Sequence, residues 1–168
     1  MLKKLYPKLQ ADSILSLDVQ KIAKLGIKGV IFDLDNTLVK WHNDELTVEV
    51  IELINRFKAA GLKVCILSNG LEYRVRAIAE RLEIPYIARG WKPRKAPFHK
   101  AMKLIGTTPE TTAMVGDQLF TDILGGNRMK MYTILTLPLS SKECVHTRLV
   151  RHVERLVIKG FQKKGIIT

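Results

Sequence analysis

Two aspartates open the chemical reading of this chain. In Asp33-Leu34-Asp35-Asn36-Thr37-Leu38 the carboxylates stand two positions apart. At the end of a β-strand that spacing sends both side chains to one side. Two close carboxylates repel, and an isolated pair tends to keep a proton. A divalent cation removes the conflict and leaves each free for a separate task. One carboxylate can attack phosphorus while the other handles the proton of the leaving group. Asp-x-Asp alone is a weak signal, because a solvated turn after a strand has the same composition, so the surrounding motifs decide.

Three further clusters follow. Ser68-Asn69-Gly70 offers a hydroxyl and free amides that can hold a phosphoryl oxygen. An ordinary helix cap explains the same residues when they are taken alone. In Trp91-Lys92-Pro93-Arg94-Lys95 a lysine can neutralise a nucleophile and a phosphate, and Pro93 restricts Lys92 to extended backbone. A solvated basic loop is the plainer account. From 91 to 103 the sequence has no acidic residue, so the local field is positive under either account. Gly116-Asp117-Gln118, with Thr121 and Asp122, supplies carboxylates that can complete an oxygen-rich magnesium site with Asp33. A strand–turn–helix junction again fits each piece singly.

The elements that must position these clusters can be read from periodicity. Gly29-Val30-Ile31-Phe32 is a buried strand ending at Asp33. Residues 45–60 place Leu46, Val50, Leu53, Ile54 and Phe57 at helical spacing, and Gly61 ends that helix. Lys63 to Leu67 is a second strand, 71–82 a helix, and Pro85 to Ala88 a short third strand. Residues 97–105 form a helix opened by Pro97. Thr111 to Val115 is a fourth strand, 119–126 a short helix, Met131 to Leu135 a fifth strand and 142–159 a last helix. Strands alternating with helices predict an α/β fold, a parallel five-stranded sheet covered on both faces. In such sheets ligands bind beyond the carboxyl ends of the strands. All four polar clusters fall there, in order.

That constellation resembles the haloacid dehalogenase (HAD) superfamily over residues 29–127, with the predicted sheet extending the likeness to about residue 136. The resemblance implies a three-layer Rossmann-like core and magnesium-dependent phosphoryl transfer through an aspartyl-phosphate. Asp33 is then the expected nucleophile. Asp35 is the expected general acid and base, with its backbone carbonyl on the metal. Ser68 and Asn69 are expected to bind the phosphoryl group, and Lys92 to offset its charge, with Lys95 close enough in sequence to compete. Asp117 is expected to bind Mg²⁺, and Asp122 to support the metal directly or through water. From Val39 to Gly61 there is room for one helix, and from Gly70 to Gly90 for one helix and one strand. No cap domain is encoded, as in the capless subfamily III. Aspartate followed by Asn36-Thr37-Leu38, the Ser68-Asn69 pair and Gly116-Asp117-Gln118 with Thr121-Asp122 look closest to a bacterial subfamily IIIA group, which Trp41 and the basic N-terminal segment also suit. That group is related to mitochondrial phosphatidylglycerophosphate phosphatases.

Composition bounds the partners. The 168 residues suit one compact domain, with a basic segment at 1–28 and the helix at 142–159 as its ends. With 46% hydrophobic residues the chain can build a core, and no apolar run is long enough to span a bilayer. Two cysteines make neither a disulfide framework nor a zinc site, so a reducing cytoplasm is the expected home. The net charge of +12 calls for an anionic partner. Residues 1–29 hold six basic and two acidic groups, and residues 142–168 seven and two. In the last helix Val145, Leu149, Val153, Leu156 and Val157 form an apolar stripe beside Arg148, Arg151, Arg155 and Lys159. The apolar stripe predicts packing on the sheet with a solvated basic edge, and the sharper reading, compatible with the first, is contact of that edge with anionic lipid at the inner face of a membrane. The expected function is phosphomonoester hydrolysis, with phosphatidylglycerophosphate as the leading specific substrate. Nucleic-acid ends and phosphoproteins are the alternative substrates, and a non-catalytic binding protein is the alternative class. Aromatic residues at 7%, without a stacking motif, weigh against RNA. Oligomeric state is not encoded in any of these patterns.

Overall fold

The computed structural model describes residues 2–41, 43–140, 153–154 and 156–161. Its elements run β1 (Leu9–Ala11), α1 (Val19–Lys24), β2 (Gly29–Phe32), α2 (Val48–Ala59), β3 (Lys63–Leu67), α3 (Glu72–Leu82), β4 (Tyr86–Ile87), α4 (Lys95–Ile105), β5 (Thr112–Gly116), α5 (Leu124–Arg128) and β6 (Tyr132–Thr136). The strands form one parallel sheet in the order β1-β6-β5-β2-β3-β4. The sheet therefore has six strands, where the sequence pattern predicts five. The extra strand, β1, has three residues and lies at an edge, in the segment that composition marks only as basic.

Alternation along the central strands divides the core in two. Val30, Phe32, Val64, Ile66 and Val115 face α1, α2 and α3, which contribute Ile22, Leu53, Ile54, Phe57, Val75 and Ile78. Ile31, Cys65, Leu67 and Met114 face the opposite way, onto Phe98, Ala101 and Met102 of α4. Both faces are covered, which explains why β2 reads as an unbroken apolar run. The helices begin and end where local chemistry dictates. The Thr47 hydroxyl accepts from Val50 N at 3.4 Å to start α2, and Gly61 at φ +80° lets the chain leave it. Helix α4 begins two residues before Pro97, so the proline occupies the third helical position. Its missing N–H is still one of the donors a helix start leaves unpaired.

The stretch predicted as one short helix at 119–126 is two pieces. Leu119–Ile123 is a π-helical turn, in which Ile123 N donates to Gln118 O at 3.2 Å, and α5 follows directly. Of the helix predicted at 142–159, the described residues 153–154 and 156–161 are helical. Cys144, Val145, Arg148, Leu149, Arg151 and Arg155 lie outside the described residues, and with them most of the predicted basic edge. Of the predicted stripe, Val157 packs on the cluster of Leu5, Leu119, Ile123 and Leu135, but the rest of the described buried face differs. Val153 and Leu156 are exposed, whereas Glu154 and Phe161 are buried. Glu154 accepts from Phe120 N at 3.0 Å, and Phe161 stacks edge-on against Tyr6 with ring centroids 4.5 Å apart. A buried carboxylate with a backbone partner sets the rotation of the helix, which hydrophobic spacing alone does not reveal.

Candidate active site

The carboxyl ends of β2, β3, β4 and β5 meet at one open cleft of about 700 Å³, a volume that includes solvent at its mouth. Asp33, Asp35, Asn36, Ser68, Asn69 and Lys92 are among its walls. Each arrives by a different backbone device. Asp33 continues β2, and its N–H donates to Val115 O at 2.9 Å, so it is fixed by the sheet itself. Beyond it the chain closes a tight loop, with Asn36 N donating to Val39 O at 2.7 Å. Asn36 sits at φ +60°, a left-handed conformation that asparagine tolerates better than most residues. Its side-chain oxygen accepts from Trp41 N at 3.2 Å, which brings Trp41 to the cleft wall.

The loops after β3 and β4 are laced together. Gly90 N donates to Ser68 O at 2.9 Å, and Lys92 N donates to Asn69 Oδ1 at 2.8 Å. The Ser68 hydroxyl is buried and accepts from Gly70 N at 2.9 Å. Lys92 is thereby aimed inward. Its Nζ donates to Asp33 Oδ1 at 2.5 Å and to Asp122 Oδ1 at 2.7 Å. Asp122 is fully buried at the π-helical turn, and its second oxygen accepts from Gln118 N at 3.1 Å. Gly116 is required here. A Cβ on it would lie 2.3 Å from Asp122 Oδ2. Thr37 completes the frame by donating to Asp117 Oδ1 at 3.4 Å.

Electrostatics follow from this geometry. Burial pushes the Asp33 carboxyl up to about 7, the Lys92 ammonium opposes that rise, and the Asp122 and Asp35 carboxylates add to it. For Lys92, burial alone would favour the neutral amine. The Asp122 and Asp33 carboxylates outweigh it and hold the ammonium above its ordinary value. Carboxylate oxygens of Asp33, Asp117 and Asp122 lie within 4.8 Å of one another, all three residues buried. Three buried carboxylates that converge in this way offer an all-oxygen donor set, which suits a hard divalent cation. The donor chemistry therefore fits a metal of the magnesium type.

The expected site residues divide as follows. Asp33, Asp117, Asp122 and Lys92 come together in one buried cluster, with Ser68 and Asn69 on the cleft wall. Asp35 lines the cleft, but its side chain is turned to Arg74 rather than into the carboxylate cluster. Lys95 is exposed in the first turn of α4 and is not among the lining residues, so geometry separates the two lysines that sequence leaves in competition. Arg74 is a site residue that sequence reasoning missed. It is ion-paired to both Asp35 and Asp44. A signal existed, because an arginine in the first turn of a helix opposes the helix dipole and calls for a carboxylate partner.

Comparison with known proteins adds to this geometry. Residues 40–130 match the family described as haloacid dehalogenase-like hydrolase. The chain belongs to that family. The matched range includes Ser68, Lys92, Asp117 and Asp122 and begins after Asp33 and Asp35. A relative from Bacillus subtilis (strain 168), named "Probable phosphatase YqeG", is 39% identical over 99% of this chain and 98% of its own length. "Phosphatidylglycerophosphate phosphatase 1, chloroplastic/mitochondrial" from Arabidopsis thaliana is 32% identical over 95% of this chain, which spans 49% of that protein. Among solved structures, a cobalt-bound deoxy-D-mannose-octulosonate 8-phosphate phosphatase from Haemophilus influenzae superposes with a TM-score of 0.56 at 19% identity. It matches 81% of this chain and 90% of its own, a likeness of fold. The chain is thus a hydrolase with a HAD phosphatase fold, and among the described residues no helix is long and apolar enough to cross a membrane.

Proposed function

We propose that this HAD-type phosphatase hydrolyses a phosphomonoester through an aspartyl-phosphate on Asp33, with Mg²⁺ as its cofactor and a lipid phosphate of the phosphatidylglycerophosphate kind as substrate. The observation that carries the catalytic part is the Lys92 ammonium lodged between Asp33 and Asp122 at the head of the cleft. Asp33 Oδ2 is the attacking atom, because Lys92 holds Oδ1. The attack forms the Asp33 O–P bond and breaks the P–O bond to the leaving alcohol. Asp35 gives that alcohol a proton, then takes one from the water that cleaves the acyl-phosphate. The Ser68 hydroxyl and the amides after β3 bind the phosphoryl oxygens, and Lys92 offsets their charge. Asp33, Asp117 and the main-chain carbonyl of Asp35 would hold the metal, with Asp122 behind them. A bound divalent cation supplies Lewis-acid stabilisation of the phosphoryl charge.

The substrate part is supported by the short segments between β2 and β3 and between β3 and β4, each carrying one helix and no cap, and by the name of the plant relative. An uncapped site accepts a phosphate that remains anchored in a bilayer. A soluble nucleic-acid end or phosphoprotein is the second reading, favoured by the charge of +12. Cytoplasmic placement, with attachment to the inner membrane face, belongs to the lipid reading.

Asp33→Asn tests the chemistry. The change is isosteric and removes the attacking charge, so magnesium-dependent turnover of an aryl phosphate should vanish while circular dichroism stays unchanged. Appreciable residual turnover removes Asp33 from the role. A panel of a lipid phosphate, a nucleotide, a sugar phosphate and a 5′-phosphorylated oligonucleotide tests the substrate. Preference for any of the last three overturns the lipid reading.

A further inference from the structure

Two large exposed apolar side chains stand next in the chain to residues that line the cleft, and the chemistry gives them no task. Leu71 follows Gly70 and is 52% exposed, and Trp91 precedes Lys92 and is 70% exposed. Both neighbours, Gly70 and Lys92, line the cleft. Tyr73, in the first turn of α3, is exposed as well. Single exposed apolar residues are ordinary on a protein surface, but two of them on adjoining loops next to a binding site mark a contact surface.

The two loops that carry Leu71 and Trp91 form one platform. Arg89 N donates to Gly70 O at 3.1 Å, beside the Gly90–Ser68 and Lys92–Asn69 bonds described above. Arg89 and Trp91 both lie in the left-handed region, at φ 48° and 51°, on either side of Gly90. A bulky residue there is strained, and such strain persists where the surrounding structure holds it in place. Here it turns a tryptophan out to solvent at the edge of the cleft.

The charge of this platform is one-sided. Between Ile84 and Pro109 the sequence has no acidic residue. Arg89, Arg94 and Lys95 are exposed, and among the described residues none of them is ion-paired to a carboxylate. The nearest acidic side chain in sequence to Leu71, that of Glu72, accepts from Tyr86 OH at 2.7 Å. Indole and aliphatic side chains beside unpaired cations match the boundary between anionic headgroups and hydrocarbon. A nucleic-acid surface would instead be met by aromatic faces along a groove, to which Leu71 contributes nothing.

We propose that Leu71 and Trp91, flanked by Arg89, Arg94 and Lys95, form a docking surface for an anionic phospholipid bilayer that sets the mouth of the cleft against the membrane. This rests on the lipid-phosphate reading for its purpose but not for its test. The residues of this surface are not those of the basic edge predicted at 142–159. It lies beside the chemistry, so docking delivers a headgroup to Asp33 without withdrawing the lipid from the bilayer.

The test is co-sedimentation of the full chain with vesicles of phosphatidylcholine alone or mixed with phosphatidylglycerol, read beside tryptophan fluorescence. Binding to the mixed vesicles at low salt, a blue shift that disappears in Trp91→Asn, and no binding to neutral vesicles are expected. Leu71→Ser combined with Trp91→Asn should weaken vesicle binding about tenfold or more, since both buried apolar contacts are lost. Turnover of a soluble aryl phosphate by the same variant should match the parent, which also shows that it folds. Arg89→Gln with Arg94→Gln is a second variant, with the same expected loss and no apolar change. The proposal is overturned if the parent ignores anionic vesicles, if it binds a single-stranded oligonucleotide in their place, or if the rim variants bind vesicles normally. It is overturned equally if Arg151→Gln with Arg155→Gln abolishes binding while the rim variants do not. Rim-dependent vesicle binding without hydrolysis of any lipid phosphate would leave the surface standing and refute the substrate reading alone.

Discussion

A single methyl group at Gly116 should disable the site. The Cβ of Gly116→Ala would meet Asp122 Oδ2 at 2.3 Å, Cγ at 2.4 Å and Cβ at 2.7 Å. The aspartate cannot swing aside cheaply. It is fully buried, one oxygen accepts from Lys92 at 2.7 Å, and the other accepts from Gln118 N at 3.1 Å. Overpacking of this kind costs about 1–3 kcal/mol. Loss of one hydrogen bond to a charged group costs about 1.5–3 kcal/mol more. Because the two costs share a cause they do not add fully, and about 2–4 kcal/mol is the expected loss. For a chain of this size that lowers the melting temperature by roughly 5–15 °C. Lys92 loses a fixed partner and moves, and a misplacement of about 1 Å near the chemistry costs about 100-fold in turnover. Urea denaturation and aryl-phosphate kinetics measure the two effects. Gly125→Ala is the control, because its Cβ would lie 2.3 Å from Phe98 Cζ in the core under α4, away from the cleft. That variant should lose comparable stability but little turnover per folded molecule. The reasoning fails if Gly116→Ala is as active as Gly125→Ala per folded molecule, or if it is as stable as the parent.

Two further predictions concern charge. Arg74→Gln removes both ion pairs at once; since Asp44 is 57% exposed, that pair contributes at most about 1 kcal/mol to stability. Turnover should fall about tenfold or more through kcat with KM nearly unchanged, because Asp35 loses its orientation, and a variant with unaltered kcat would strip Arg74 of its positioning role. The metal-free protein should show the sign of the Asp33 shift: its carboxyl sits at about 7 when folded against an ordinary 3.8, so the folded state binds the proton more tightly. The stabilisation from that proton is complete at low pH and is lost as pH rises through about 7. The rise in melting temperature on adding magnesium should therefore grow from pH 5.5 to 8, and a flat or falling gain would contradict it.

Much of the fold is legible in the sequence because its central strands are buried on both faces. Gly29–Phe32 and Lys63–Leu67 appear as uninterrupted apolar runs with polar residues at their ends, and the structure gives them the same limits. Leu9–Ala11 is invisible by that rule, since an edge strand of three residues with partly exposed side chains has neither a run nor an alternation. The catalytic clusters are legible because strand ends fix them through the backbone. Arg74 is legible only in part: its place in the first turn of α3 calls for a carboxylate, but Asp35 is distant in sequence and no periodicity links a helix start to a strand end. The inward turn of Glu154 escapes for the same reason, as the Phe120 amide it accepts from is remote in sequence. Side chains that answer to local backbone geometry can be read from spacing, whereas those that answer to a remote polar group cannot.

The position of β1 in the sheet has a kinetic consequence. Lys8 and Thr133, which join β1 to β6, are 125 positions apart in the chain. Closing so long a loop costs about 1 kcal/mol more than closing the short one between β2 and β3. The return is only three paired residues. Such a pairing should form late, after β2, β3 and β5 have collapsed around the helices. Asp33, Ser68, Lys92 and Asp117 all sit on that earlier nucleus. A nascent chain would then possess a formed catalytic cleft before its outer strand docks, and variants that weaken β1 should speed unfolding more than they slow folding.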